Sequence, residues 1–251
     1  MPCDQAARIA AGSNVLVHLK PAPVVARVMT ATALLHDDPE RWLAREVAVG
    51  TFLGATGLVA PPSDLLPPGP HERDGLWMTM WTFVPHDRQA PPPDARELGA
   101  SLRALHAALA GFPGDLAAVS GIRDWLERLL GELSPAPAVA RLRRRLDALT
   151  PTVFESSLPA QALHGDVSIG NLLRTDRGLV WTDLEDVCAG PVAWDVAGLV
   201  TSARARGQSA EFIDALLTAY GDAGVEDLRP FLDAHAVYEA VWKAFQARPR
   251  P

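Results

Sequence analysis

The stretch PHDRQAPPP at 85–93 limits what this chain can fold into more than any other feature. Its prolines fix φ and lack a backbone donor, so neither a helix nor a central strand runs through it. The residues on either side of it differ in kind. Before it, β-branched and aromatic runs dominate: NVLVHL at 14–19, PVVARVM at 23–29 and LWMTMWTFV at 76–84. The first two are joined by a Lys-Pro-Ala-Pro turn and read as a hairpin. After the break the periods are helical. Asp94 caps a stripe of Leu98, Leu102, Leu105 and Leu109, and further helices are expected at 122–132, 136–149, 191–205, 209–220 and 228–246. Only 161–183 turns strand-like again, as two short apolar runs around a polar loop. The expectation is an α+β chain in two lobes, strand-rich over 1–84 and helical over 85–251, with a hinge near 82–86.

One helix is expected in the first lobe. Asp38 suits an N-cap and Pro39 the first helical position, which starts a helix running from about 39 to 54. Its apolar stripe is Trp42, Leu43, Val47, Gly50 and Leu53, and Glu46 falls on the same side. A carboxylate on a buried face calls for a cationic partner. PPSDLLPPGP at 61–70 reads as a proline-rich loop.

Composition removes several classes of function. The net charge of −7 over 251 residues argues against a nucleic-acid partner. That acidity either keeps the protein in solution or favours a cationic small substrate. No apolar run reaches the eighteen or so residues of a membrane span, and Asp195 interrupts the best stretch, near 187–200. MPCDQAARIA lacks a basic stretch followed by an apolar core, so no secretion signal is expected. Two cysteines, Cys3 and Cys188, make neither a disulfide framework nor a metal cluster, which fits a cytoplasmic protein. Lys20 and Lys243 are the only lysines.

The chemistry is concentrated in LHGDVSIGNLLRTDRGLVWTDLEDVCAGPVAWDVAGL. Asp166 and Asn171 stand five apart on a loop after the apolar QAL, and Asp183 follows twelve residues later, after LVW. Loop residues between two short strands can converge at one end of a hairpin, bringing two carboxylates and an amide oxygen to one point. Hard oxygen ligands of this kind suit Mg²⁺. Singly, Gly, Asp and Asn are ordinary turn residues. As an ordered set they carry the spacing of a kinase catalytic loop, with His164-Gly165-Asp166 leading and Thr182-Asp183-Leu184-Glu185 at the metal position.

HGDxxxxN followed by this aspartate resembles the aminoglycoside phosphotransferase family, a broad group of small-molecule kinases. GPVAWDVAGL and LRALHA at 102–107 extend the likeness, which with weaker markers spans roughly residues 12 to 245. It implies a bilobal protein-kinase-like fold and Mg²⁺- and ATP-dependent phosphoryl transfer to a hydroxyl. By that resemblance Asp166 is the catalytic base, and Asn171 and Asp183 hold the metal. His164 supports the loop and Asp195 braces it from behind. The family also needs a cation on the strand before the first helix, paired with that helix's glutamate. Arg27 and Glu46 occupy those places, the alternative being an exposed arginine and a surface glutamate. Backbone groups of Trp81, Thr82 and Phe83 would meet the adenine edge, with Met78 and Met80 lining the cleft or packing the core. A glycine-rich phosphate loop is missing: only Gly12-Ser13-Asn14 precedes the first clear strand, and the ten or so residues before it leave little room for an opening strand.

On the acceptor side, the resemblance places specificity in the C-terminal helices and the loops near Asp166. Asp186, with Glu185, is a second metal contact, a substrate contact or part of a solvated pair. Glu239 and Trp242 lie along one side of the last helix with His235, beside Tyr238, and Asp233 is a further acidic candidate. Trp242 either covers a cationic sugar ring or packs the core. The expected acceptor is an aminoglycoside or related aminocyclitol. Alternatives are an amino sugar, a choline-like amino alcohol or another antibiotic, or a weakly catalytic nucleotide-binding pseudokinase. A protein substrate fits less well, because no Ala-Pro-Glu-like anchor follows Asp183.

Overall fold

The computed structural model describes residues 3–12, 14–30, 37–87, 89–221 and 227–248. Ser13 of the Gly12-Ser13-Asn14 turn and Arg88 of the proline-rich break lie outside them.

The N-terminal part is an antiparallel sheet of β1 (Gln5–Ala11), β2 (Asn14–Lys20), β3 (Val24–Met29), β4 (His71–Arg73) and β5 (Leu76–Thr82). Its strand order is β1-β2-β3-β5-β4. The opening strand that seemed to lack room is therefore present. β1 pairs with β2 from Gln5↔Lys20 to Ala11↔Val15, with a bulge between Arg8 and Ala10. β4 is a second difference, and it follows from an Asp-Gly turn. Asp74 (φ 54°) and Gly75 (φ 78°) take the left-handed conformations that a tight hairpin needs. β5 ends at Thr82 rather than 84, because Phe83 and Val84 have already left the ladder.

Helix α1 (Pro39–Leu53) packs against this sheet, its start capped by the Asp38 side chain, which accepts the Arg41 N–H at 3.0 Å. Leu43, Glu46, Val47, Val49, Gly50 and Leu53 are buried. Trp42 lies at the edge of that stripe and is half-buried.

The C-terminal part is mainly helical: α2 (Ala95–Leu109), α3 (Ser120–Gly131), α4 (Pro137–Leu149), α5 (Ala193–Ala205), α6 (Ala210–Tyr220) and α7 (Arg229–Gln246). α2 begins with a reciprocal capping box between Asp94 and Glu97. α5 is buried without interruption from Ala193 to Val200, so it shows no amphipathic stripe. It contributes to two apolar clusters: one with α2 and α6, the other with α3, α4 and α7 around Trp194 and Phe231.

The strand-like stretch forms two ribbons rather than one hairpin. β7 (Leu172–Thr175) pairs with β8 (Gly178–Trp181), while β6 (Gln161–Leu163) pairs with β9 (Cys188–Gly190). The loop bearing Asp166 and Asn171 thus joins one ribbon to the other. A separate turn at 184–186 returns the chain from β8 to β9. Among the described residues no helix is long and apolar enough to cross a membrane.

Candidate active site

In the sheet Arg27 lies opposite Leu16 on one side and Thr79 on the other, and Val25 lies opposite Trp81. Strand alternation puts Val25, Arg27, Thr79 and Trp81 on one sheet face, the face that meets α1. There Arg27 Nη1 donates to Glu46 Oε2 at 3.2 Å, with the two residues only 4% and 1% exposed. Thr79 Oγ1 donates to the same oxygen at 3.4 Å and accepts the Trp81 indole N–H at 2.8 Å. The other terminal nitrogen, Nη2, meets Asp183 Oδ1 at 3.2 Å and pairs with Glu185. Glu185 is held from its other oxygen by Asn14 of β2, whose Nδ2 donates at 3.0 Å.

The loop after β6 is fixed from behind. Asp195 is wholly buried and accepts the N–H of His164 at 2.8 Å and of Gly165 at 3.0 Å. His106 Nε2 reaches the same carboxylate at 2.9 Å, and Tyr220 OH contacts its Nδ1 at 2.8 Å. Burial by itself raises the Asp195 pKa, but the His106 contact and the backbone donors outweigh it and hold it below the ordinary value. The Trp194 indole donates to Gly165 O at 2.8 Å. His164 places Nε2 3.0 Å from Thr182 O and Nδ1 3.4 Å from the Asp166 N–H, which assigns its proton to Nε2. Gly165 has φ +88°, and a side chain there would collide with the Asp186 carbonyl. The 184–186 turn is therefore drawn tightly onto the 164–166 loop at Gly165.

Asn171 Nδ2 donates to Asp166 O at 2.9 Å and to Asp166 Oδ2 at 3.2 Å. Both contacts use the amide nitrogen, which leaves the amide oxygen available to a ligand. Asp183 has φ 67°, a conformation that non-glycine residues seldom adopt, which makes it a candidate functional position. Around Arg27 and this loop stand five carboxyl groups: Glu46, Asp166, Asp183, Glu185 and Asp186. Burial first, then the neighbouring carboxylates, raises the pKa values of Asp166 and Asp186. Burial also raises those of Glu46 and Glu185, although Arg27 pulls them down. The opposing carboxylates raise Arg27 despite its burial.

This excess of negative charge fits a divalent cation. Among the described residues no group of three or more His, Cys, Asp or Glu side chains is placed to hold a metal by itself. Asp183 and Asn171 could offer a carboxylate and an amide oxygen, a donor pair that would suit Mg²⁺ keeping water and phosphate oxygens in its shell.

At the expected hinge, expectation and structure part. The N–H groups of Thr82 and Phe83 donate to Pro61 O at 2.9 Å and Pro23 O at 2.8 Å, so they are not free for an adenine edge. The Trp81 backbone lies within the sheet and its indole packs against Gly50 of α1. Phe83 turns its ring onto His18, with centroids 4.0 Å apart and planes at 8°. Met78 and Met80 are half-buried on the opposite sheet face from Thr79 and Trp81. A groove lined by Pro61, Val84, His86, Glu97, Asp176 and Leu179 contains none of the Asp166 cluster.

On the acceptor side the expected residues separate. Asp186 adjoins Asp166, and Tyr238 of α7 borders both: burial and then the Asp166 and Asp186 charges push its phenol well above the usual value. Trp242 stacks in a row with Trp125 (5.6 Å) and Phe245 (5.8 Å), and Trp125 also stacks on Tyr238 at 5.4 Å. Glu239 is paired with Lys243 at 2.7 Å, one turn along the helix surface. Asp233 is exposed and lies about 140° around the helix from Tyr238. Neither Glu239 nor Asp233 joins the cluster. Their helical positions explain it, because the side that meets Asp166 is set by Tyr238.

A family model, that of the phosphotransferase enzyme family, matches residues 10–231. The chain belongs to that family. Solved structures show the same kinase-like fold. An amicoumacin kinase, hAmiN, in complex with AMP-PNP, Ca²⁺ and Ami, superposes with a TM-score of 0.76 at 15% identity, covering 98% of this chain and 82% of that one. An aminoglycoside-3'-phosphotransferase of type VIII gives 0.69 at 17% identity, with 98% and 94% covered. The choline kinase LicA from Streptococcus pneumoniae gives 0.69 at 14%, with 97% and 87% covered.

Four residues of the candidate site carry no role assigned from the sequence. Asn14 and Thr79 are ordinary strand residues until the sheet register aligns them with Arg27 and Glu185. His106 carried a signal, since it falls on the apolar stripe of α2 between Leu102 and Leu109, where a polar group needs a partner. Arg45 of α1 carried none.

Proposed function

We propose that the chain is an ATP- and Mg²⁺-dependent kinase that moves the γ-phosphate to a hydroxyl of an amine-bearing small molecule. The observation that carries this reading is the coupling of Asp166 to Asn171. One amide hydrogen fixes Asp166 Oδ2, so Oδ1 is the oxygen free to receive a proton. Asp166 orients the acceptor hydroxyl and takes its proton at Oδ1 as the phosphoryl group moves. Burial first, then the neighbouring Asp183 carboxylate, raises its pKa, and a cation held beside it would lower it. Asn171 Oδ1 and Asp183 would hold Mg²⁺, which supplies charge neutralisation at the phosphates. Arg27, steered by Glu46, contacts phosphate with a planar, permanently charged group in place of the commoner lysine. The lobes 1–84 and 85–251 meet around these residues, with adenine near His18 and Phe83.

An amine on the acceptor is supported by Asp186 beside Asp166 and by the aromatic wall of Tyr238 and Trp125. Aminoglycosides, aminocyclitols and choline-like amino alcohols all fall in that class. ATP use and the absence of a paired disulfide suit the cytoplasm. Asp166→Asn keeps shape but removes the proton acceptor. With an acceptor found by a nucleotide-consumption screen, kcat is expected to fall by roughly a hundredfold or more while nucleotide Kd changes little. Wild-type turnover in that variant would remove Asp166 from the mechanism.

A further inference from the structure

Arg45 stands one residue before Glu46 on α1, yet it takes no part in the Arg27 network. Its guanidinium carbon lies 4.3 Å over the Trp42 ring. Its Nε and Nη2 atoms are buried and, among the described residues, meet no hydrogen-bond acceptor. These two nitrogens are not an arbitrary pair. Their N–H bonds run parallel along one edge of the guanidinium, at the spacing of the two oxygens of a carboxylate or phosphate. Leaving such an edge dry and unmet is costly, so a partner from outside the chain is the natural completion.

The position of that edge points to the acceptor. α1 packs against the 184–186 turn, the same turn that Gly165 lets close on the 164–166 loop. Burial lowers the Arg45 pKa, and the nearby Asp186 carboxylate is the largest influence raising it. Just before α1, Asp37 pairs with Arg128 of α3 at 2.7 Å, and α3 carries Trp125, which stacks on Tyr238. Arg45, with Trp42 beneath it, and Tyr238, with Trp125 stacked on it, thus both stand near Asp186, and the Asp37–Arg128 pair ties the two elements that carry them.

We propose that Arg45, backed by Trp42, binds an oxyanion carried by the phosphoryl acceptor, so that the acceptor is amphoteric: its amine faces Asp186 and its carboxylate faces Arg45. The inference rests on the kinase reading above and narrows it. An aminoglycoside, which has no anionic group, leaves the Arg45 edge unmet, whereas a hydroxylated amino acid fills both places.

Matched acceptors test this on the full chain with Mg·AMP-PNP bound, using calorimetry: L-homoserine against 3-amino-1-propanol, and L-serine against ethanolamine, with kanamycin as a purely cationic comparison. The carboxylate-bearing member of at least one pair is expected to bind ten-fold or more tighter than its partner. Arg45→Gln should erase that preference, and Arg45→Lys, which keeps charge but not the parallel pair, should retain only part of it. The nucleotide-induced thermal shift serves as the folding control for both variants. Equal affinity within each pair, a preference that survives Arg45→Gln, or binding of kanamycin alone overturns the oxyanion site and leaves the kinase reading standing. Failure of Mg·AMP-PNP to bind the unmodified chain sinks the kinase reading and the oxyanion site with it.

Discussion

Asp195 shows how a single buried charge organises the site from a distance. It is completely inaccessible and holds two consecutive backbone N–H groups and an imidazole. Asp195→Asn presents an amide hydrogen to donors that need an acceptor, so a loss of roughly 3 kcal/mol is expected. The pH dependence follows from the sign of the shift. The folded pKa lies below that of the unfolded chain, so the contribution is complete above about pH 5 and disappears as pH falls through the folded value. Urea midpoints of the two proteins should therefore differ by a constant amount from pH 7 to about pH 5 and converge below about pH 4. A gap that stays constant to pH 3, or none at pH 7, would show that the carboxylate's charge is not what holds the loop. At this scale the sequence was eloquent about Asp166, Asn171 and Asp183, whose order and spacing are a local signature. It was silent about Arg45 and Thr79, whose meaning comes only from what packs beside them.

At the level of elements, the helices were legible because their periods and caps are local, and observed ends fall within about two residues of those expected. The ribbons were not, since which strand pairs with which is a long-range choice: β6 takes β9 across the whole of β7 and β8. The α2–α6 contact is another long-range fact. Gly99 faces α6 so closely that a side chain would collide with the Leu216 carbonyl and lie 2.8 Å from the Tyr220 N–H. On an exposed helix Gly→Ala stabilises by about 1 kcal/mol. Here Gly99→Ala must push the helices apart, and a destabilisation of roughly 1–3 kcal/mol is expected. Because Tyr220 touches His106 and His106 touches Asp195, the displacement should also loosen the 164–166 loop. A melting temperature equal to or above that of the parent would contradict this packing.

Across the whole molecule, residues from the N-terminal sheet and from the C-terminal ribbons meet at Arg27. Asn14 and Arg27 reach from β2 and β3 to Glu185, and Arg27 also touches Asp183. One cation therefore binds two carboxylates that themselves belong to the candidate metal and phosphate site. A nucleotide bringing phosphates to this place competes for Arg27, and it adds charge to a cluster already short of cations. ATP alone should accordingly stabilise the fold weakly, and ATP with Mg²⁺ strongly. Saturation at a hundred times Kd corresponds to about 2.7 kcal/mol, several degrees of melting temperature for a chain of this size. Asp183→Ala removes the proposed carboxylate ligand and one partner of Arg27 together. The magnesium-dependent increment should then largely vanish, while the response to ATP alone is kept or grows, because Arg27 has lost a competitor. Thermal denaturation of both proteins with ATP, with Mg²⁺, and with the two combined separates these contributions. An undiminished magnesium increment in Asp183→Ala would place the cation elsewhere and detach the Arg27 cluster from phosphate binding.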